Sequence, residues 1–193
     1  KNIAYKTLKK GDTFTLGDDV TFTVLSPGKP FTKENTQGVS ESGLTNDNSI
    51  VCKMTYGQFS MMFTGDAQKE VEDKILKDYK PADLKSDVLK VGHHGSKTSS
   101  SDAFVKAIAP KAATISCAAG NQYKFPHEPT LKTLQKYNVE VYRTDLTPET
   151  FAKLIAKTGF AMTGQTKQIV PADRLLYALR DVTETVESVS LIT

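Results

Sequence analysis

The stretch Asp87-Val88-Leu89-Lys90-Val91-Gly92-His93-His94-Gly95-Ser96 changes character in its middle. A short run with apolar, β-branched residues reads as a strand, and the glycine after it is a stop signal. Two histidines then stand between glycines directly beyond that strand, where a rigid element fixes their position. The same pattern occurs upstream. Phe59-Ser60-Met61-Met62-Phe63-Thr64 is apolar at nearly every position, as expected for a strand covered on both faces, and Gly65-Asp66 ends it.

Outward from these two turns, strands alternate with helices. Val20-Thr21-Phe22-Thr23-Val24-Leu25 alternates with period two until Ser26-Pro27-Gly28. Residues 29–47 are rich in Gly, Ser, Thr and Asn without periodicity, which predicts a long loop. Ser49 to Thr55 reads as a strand joined to the Phe59 strand by a tight turn at Tyr56-Gly57. Ala67 to Tyr79 carries Val71, Ile75, Leu76 and Tyr79 at helical spacing, and a second helix with Phe104, Val105 and Ile108 starts near Ser101. Strand Ala112 to Ser116 leads through a polar loop, Gly120 to Pro129, into a helix with Leu131, Leu134 and Tyr137. Val139 to Tyr142 closes the series. This order predicts a layered α/β domain. Ligands of such sheets gather where strand carboxyl ends give way to loops, and Asp66 and His93-His94 occupy that position. Beyond Asp145, Pro148 opens a helix (Phe151, Leu154, Ile155) that Gly159 ends. Pro171-Ala172-Asp173 starts another with Leu175, Leu176 and Leu179, and Val186 to Ile192 reads as strand or helix.

Composition narrows the class. The chain has 193 residues, 38% hydrophobic and 24% charged, with 2 Cys, 3 His and no Trp. These proportions exclude a disulfide scaffold, a collagen-like repeat and a low-complexity chain. Cys52 and Cys117 lack C-x-x-C spacing, so they form neither a zinc ribbon nor a redox pair. No apolar run reaches the ~20 residues that span a bilayer, and the N-terminus lacks signal-peptide features. The first residue is Lys, so the chain is read as starting inside a longer protein or after a cleavage. Net charge is +3, which does not by itself indicate nucleic acid. Lys85, Lys90, Lys97, Lys106, Lys111 and Lys124 read either as a basic track or, more simply, as a solvated surface.

Asp oxygen and neutral imidazole nitrogen are a normal ligand set for Zn²⁺ or Mn²⁺, so Asp66 with His93-His94 suggests a metal site. The plainer reading of Asp66 is an N-cap for the helix starting at Ala67. That of the histidines is a pair bonding backbone groups in a glycine-flanked turn.

Together, Thr45-Asn46-Asp47-Asn48-Ser49-Ile50-Val51, Phe63-Thr64-Gly65-Asp66-Ala67 and Asp87 to Ser99 resemble the second half of a metallo-β-lactamase-fold hydrolase. Within that superfamily they most resemble the C-terminal domain of bacterial competence (DNA-internalisation) channel proteins and their secreted stand-alone relatives. The resemblance runs from about Lys10 to Asp145. It implies the C-terminal half of an αββα sandwich over residues 1–145, with a divergent extension over 146–193. It also implies a location outside the cytoplasm or on the outer face of the bacterial cytoplasmic membrane.

By position, the resemblance makes Asp66 the carboxylate bridging two divalent ions, Zn or Mn, and thus part of the catalytic machinery. One histidine of the pair matches the final ligand. His93 is assigned to it because it follows the strand directly, and His94 is then catalytic, supporting the ligands or reaching a substrate oxygen. Asn48 and Ser49 match a site-edge element, Ser96 and Lys97 a phosphate contact, and Tyr123 and His127 a family loop, all read as substrate-binding. Phe125 stands where that loop often has histidine. The family's first-half signature, H-x-H-x-D-H, is absent, since His93, His94 and His127 are the only histidines. Hence the expected reading is part of a metal-dependent hydrolase acting on phosphodiesters such as single-stranded DNA, inactive without a missing N-terminal half. Its expected partner is that half or a second copy of the chain, because a half sandwich exposes a sheet face. The alternatives are a non-catalytic binding module of the same fold and a hydrolase of phosphocholine or another small ester.

Overall fold

The computed structural model describes residues 5–36 and 38–146. The helices expected after Pro148 and Pro171, and the element expected at Val186 to Ile192, lie outside the described residues.

Seven strands form one sheet in sequential order. They are β1 (Thr13–Leu16), β2 (Val20–Ser26), β3 (Val51–Tyr56), β4 (Phe59–Phe63), β5 (Val88–Lys90), β6 (Ala112–Ile115) and β7 (Glu140–Arg143). The first four pair antiparallel and β4 through β7 pair parallel. Helices α1 (Glu41–Asp47), α2 (Lys69–Asp78), α3 (Pro81–Leu84), α4 (Asp102–Ile108) and α5 (Glu128–Lys136) complete the described chain. The parallel strands advance in one direction, so right-handed crossovers place their connecting helices on one face of the sheet. Val71 and Ile75 of α2, Phe104, Val105 and Ile108 of α4, and Leu134 of α5 accordingly pack with Val51, Met62, Leu89 and Ile115 in one core. The domain is α/β and layered, as the strand–helix alternation predicts.

The opposite face is also apolar. Phe22, Cys52, Met54, Phe59, Met61 and Phe63 cluster there, with Val88, Ala112 and Tyr142 beside them, and no described helical residue joins either cluster. Thus β4 is apolar on both faces, but Met62 alone of its residues is buried; Phe59, Met61 and Phe63 are half-buried.

Two readings need correction, and one strand is added. Residues 29–47 are not loop throughout, because α1 occupies the last seven positions. Local bonds hold it: the Ser40 hydroxyl accepts from the Gly43 N–H, and the Asn48 amide donates to the Leu44 carbonyl. Strand β1, at the sheet edge, goes unread although Thr13-Phe14-Thr15-Leu16 alternates, and its Phe14 stacks on Phe22 at 4.7 Å. The helix after Asp66 starts later than Ala67, with Gln68 at the N-cap position. Asp66 is therefore not its cap.

Candidate metal half-site

Parallel strands β4, β5 and β6 all end at the same edge, and each delivers one turn to it. The first holds Gly65-Asp66. Gly65 has φ +50°, and a Cβ there would lie 2.8 Å from the Ser49 Cβ. The close approach lets the Ser49 hydroxyl accept the Asp66 N–H at 3.0 Å. Asp47, fully buried, accepts the Gln68 N–H through Oδ1 at 3.2 Å, while its Oδ2 has no partner. Burial pushes the Asp47 carboxyl up, against bonds from Gln68 that pull it down. Asn48 turns away, bonding both backbone polar groups of Phe31 and the Leu44 carbonyl. Ser49 and Asp47 therefore fix the Asp66 turn, and Asn48 fixes the preceding loop.

The second turn carries the histidines. His93 and His94 have φ +48° and +54°, a left-handed pair of the kind that concentrates at functional sites and costs about 1–3 kcal/mol per residue. The Gly65 carbonyl accepts the His93 N–H at 2.9 Å, tying this turn to the first. The His94 Nδ1 lies 2.8 Å from the Ser116 carbonyl. A carbonyl only accepts, so the neutral ring carries its proton on Nδ1 and leaves Nε2 bare. That Nε2 faces Asp66 Oδ1 at 3.6 Å. His93 Nδ1 is 3.4 Å from the Thr98 hydroxyl, and burial lowers the His93 pKa, against the pull of Asp66. Its imidazole is thereby favoured in the neutral form that a metal ligand needs.

The third turn, after β6, folds back over the second. A Cβ on Gly95 (φ +85°) would lie 2.4 Å from the Pro126 Cβ. His127 donates its N–H to the Gly95 carbonyl at 2.9 Å. Its Nδ1 accepts the Lys97 N–H at 3.0 Å, and its Nε2 lies 3.1 Å from the Tyr123 carbonyl. Both ring nitrogens are thus committed to backbone groups. Ser96 is buried, bonding Thr98.

Asp66, His93, His94, Tyr123 and Phe125 line one cleft of about 780 Å³. Lys97 instead lines a smaller cavity of about 350 Å³ with Lys69 and Thr98. The structure therefore brings Asp66, His93, His94 and Tyr123 together and keeps Asn48, Ser49, Ser96, Lys97 and His127 out of that lining. Among the described residues, no three His, Cys, Asp or Glu side chains gather closely enough to hold a metal ion.

Nor do the six lysines form a single track. Lys85 and Lys111 precede β5 and β6, at the edge opposite the cleft, and Lys111 pairs with Asp87. Lys90 donates to the Val91 carbonyl at 2.9 Å, and burial lowers its pKa, against the pull of nearby Asp66 and Cys117.

Sequence reading missed Glu72, whose carboxylate accepts the Ser100 and Ser101 N–H groups at 2.5 and 2.8 Å and so joins α2 to the segment beyond the histidines. The available signal was its spacing, because Glu72 lies three, four and seven residues before Ile75, Leu76 and Tyr79, on the apolar stripe. Asp47 gave no such signal.

Fold and site together define a layered α/β domain with a carboxylate and imidazoles gathered at the carboxyl edge of its parallel strands. No protein-family model matches the chain. It is similar to ComE operon protein 3 of Bacillus subtilis, 37% identical over 145 residues, which cover 75% of this chain and 17% of that protein. Competence protein ComA of Neisseria gonorrhoeae is 36% identical over 101 residues, 52% of this chain and 14% of the relative. Recombination protein 2 of Haemophilus influenzae is 34% identical over 123 residues, 64% and 14% respectively. The chain thus spans less than a fifth of the length of these relatives. A solved structure described as a candidate metal-dependent hydrolase, from Parabacteroides distasonis, aligns with TM-score 0.44 and 13% identity over 72% of this chain and 56% of that one. No described helix is long and apolar enough to cross a membrane.

Proposed function

We propose that this chain carries one half of a metal-dependent hydrolase centre acting on phosphodiesters of DNA. The observation that carries this reading is that Asp66 Oδ1 and His94 Nε2 face each other 3.6 Å apart across the cleft. That separation is longer than a hydrogen bond and near the ~3.4 Å spacing of two ligand atoms each ~2.1 Å from one tetrahedral cation, which suits a divalent ion. Asp66 and His94 would hold it, with neutral His93 beside them. This exchanges the roles expected for the two histidines. Two or three ligands make a half-site, so the remaining ligands would come from a further segment of the same polypeptide or from a second copy.

Held by Asp66 and His94, a divalent ion would supply a water of lowered pKa and stabilise charge developing on an attacked phosphodiester. The protein's own contribution is positional: Ser49 and Asp47 fix the Asp66 turn, and the Ser116 carbonyl fixes the His94 tautomer. Similarity to competence and recombination proteins supports DNA as the substrate class and the bacterial cell envelope as the location; the outer face is our proposal. We assign the hydrolase-like unit to residues 1–145 and treat 146–193 as an extension.

The test is long-range ¹H–¹⁵N spectroscopy of the histidine rings during zinc titration. The expected result is a shifted His94 Nε2 resonance with the Nδ1 proton retained, lost in Asp66→Asn. Joining the chain behind a segment with the H-x-H-x-D-H signature should then produce metal-dependent cleavage of single-stranded DNA. A His94 resonance unmoved by zinc would overturn the reading.

A further inference from the structure

We propose that Tyr123 and Phe125 form a stacking platform for an unpaired nucleobase beside the Asp66–His94 pair. This rests on the phosphodiester reading and extends it by naming a base-bearing single strand as the form of substrate bound.

The Phe125 ring is the hub of an aromatic group at the cleft. Its plane lies within 20° of both Tyr123, 5.4 Å away, and His94, 6.1 Å away, and His93 meets it edge-on at 5.5 Å. Tyr123 is 62% exposed. A large aromatic left this open contributes little to a core, yet here it is aligned with a ring that touches the candidate half-site. The alignment is built in. Asn121 accepts the Phe125 N–H at 3.0 Å through Oδ1 and donates to the Phe125 carbonyl at 2.7 Å through Nδ2. Lys124, between the two, has φ +59°, and the Tyr123 and Phe125 rings stack across it at 5.4 Å.

Such a surface favours a flat π-system. With the Asn121 amide consumed by backbone, it presents the open Tyr123 ring, backed by Phe125, without a fixed set of donors to read a base edge, which predicts stacking that tolerates any base. Base faces are covered in a duplex, so the platform selects a single strand.

The test uses the full chain and fluorescence anisotropy with two labelled oligonucleotides of equal length, one of thymidines and one of abasic sites, at equal salt. The thymidine strand should bind more tightly. Tyr123→Ala should weaken its binding by about 5- to 150-fold and leave the abasic strand unaffected, while Tyr123→Trp should restore it. Equal affinity for the two strands, no effect of Tyr123→Ala, or no binding of the thymidine strand would overturn the proposal. The histidine spectra report the metal half-site separately. A zinc-induced His94 shift without base-dependent binding removes the platform and leaves the hydrolase reading; the reverse pair of results removes the hydrolase reading alone.

Discussion

Replacing Gly95 by Ala probes the contact that locks the third turn onto the histidine turn. Gly95 has φ +85°, and an added Cβ would lie 2.4 Å from the Pro126 Cβ and 3.0 Å from the Pro126 Cα. Left-handed backbone costs an L-residue roughly 1–2 kcal/mol. Carbon atoms pack at about 3.5–4.0 Å, so the two chains must separate by about an ångström, and because Pro126 Cα is backbone, no rotamer change relieves the clash. Separation strains the bonds from the His127 N–H to the Gly95 carbonyl and from the Lys97 N–H to His127 Nδ1, each worth about 0.5–1.5 kcal/mol. The sum is about 2–5 kcal/mol. Gly120→Ala is the control, because Gly120 has φ +66° but nothing within 4 Å of the new Cβ, leaving only backbone strain. Urea unfolding followed by far-UV circular dichroism measures both. With a slope of about 2 kcal/mol per molar urea, Gly95→Ala should lower the midpoint by about 1–2.5 M, clearly more than Gly120→Ala. Equal costs for the two variants would refute the contact.

Ser49→Ala removes the acceptor of the Asp66 N–H and should cost about 0.5–1.5 kcal/mol in urea unfolding, together with a weaker zinc-induced shift of His94. An unchanged shift would separate Ser49 from the placement of Asp66. Glu72→Ala leaves the Ser100 and Ser101 N–H groups without their acceptor; because burial pushes the Glu72 carboxyl up against these bonds, each is taken at about 0.5–1.5 kcal/mol, and unfolding should show a loss of about 1–3 kcal/mol. Asp87 gives a pH signature. Burial raises its pKa, but the bonds from Lys111 and the Ser60 N–H outweigh burial and hold it below the ordinary value. Its folded form therefore stabilises above the ordinary aspartate pKa of about 3.9, and that stability is lost as pH falls through the depressed value. Asp87→Asn should accordingly be less stable than the wild type at pH 7, with the gap closing as pH falls below the ordinary aspartate value and through the depressed one.

The parallel part of the sheet was legible because each β4-to-β7 unit repeats one pattern, an apolar run, a glycine or polar turn, then residues such as Phe104, Val105 and Ile108 at helical spacing. Elements that bury little were not legible. Strand β1 alternates polar and apolar over only four residues at the sheet edge, too few to stand out, and α1 has Leu44 as its one large apolar residue, so its stability rests on the Ser40 and Asn48 side-chain bonds, which leave no periodic trace. Asp66 shows the limit for caps. Asp before a helical stripe signals an N-cap, but the chain spends two further residues in the turn, and the carboxylate is left facing His94.

The choice between His93 and His94 shows why site geometry is harder to read than strand order. Nearness to β5 favours His93 only if the chain leaves the strand in a conformation that keeps the first side chain on the site's side. Two consecutive residues at φ +48° and +54° break that premise, because a left-handed pair reverses the course of the backbone and turns successive side chains in directions that extended geometry does not anticipate. What then orients the second imidazole is a carbonyl 22 residues away, at Ser116 beyond the end of β6. The tautomer that exposes Nε2 to Asp66 is therefore a property of the β5–β6 pairing. Ser49 behaves in the same way: the motif marks it for the site, yet its hydroxyl holds the Asp66 backbone, as the unmarked Asp47 holds that of Gln68, bonds that exist only once β3 and β4 have paired. A motif can thus name the residues around the half-site, while the division between those that face the cleft and those that hold its turns in place depends on non-local hydrogen bonds that the order of residues does not display.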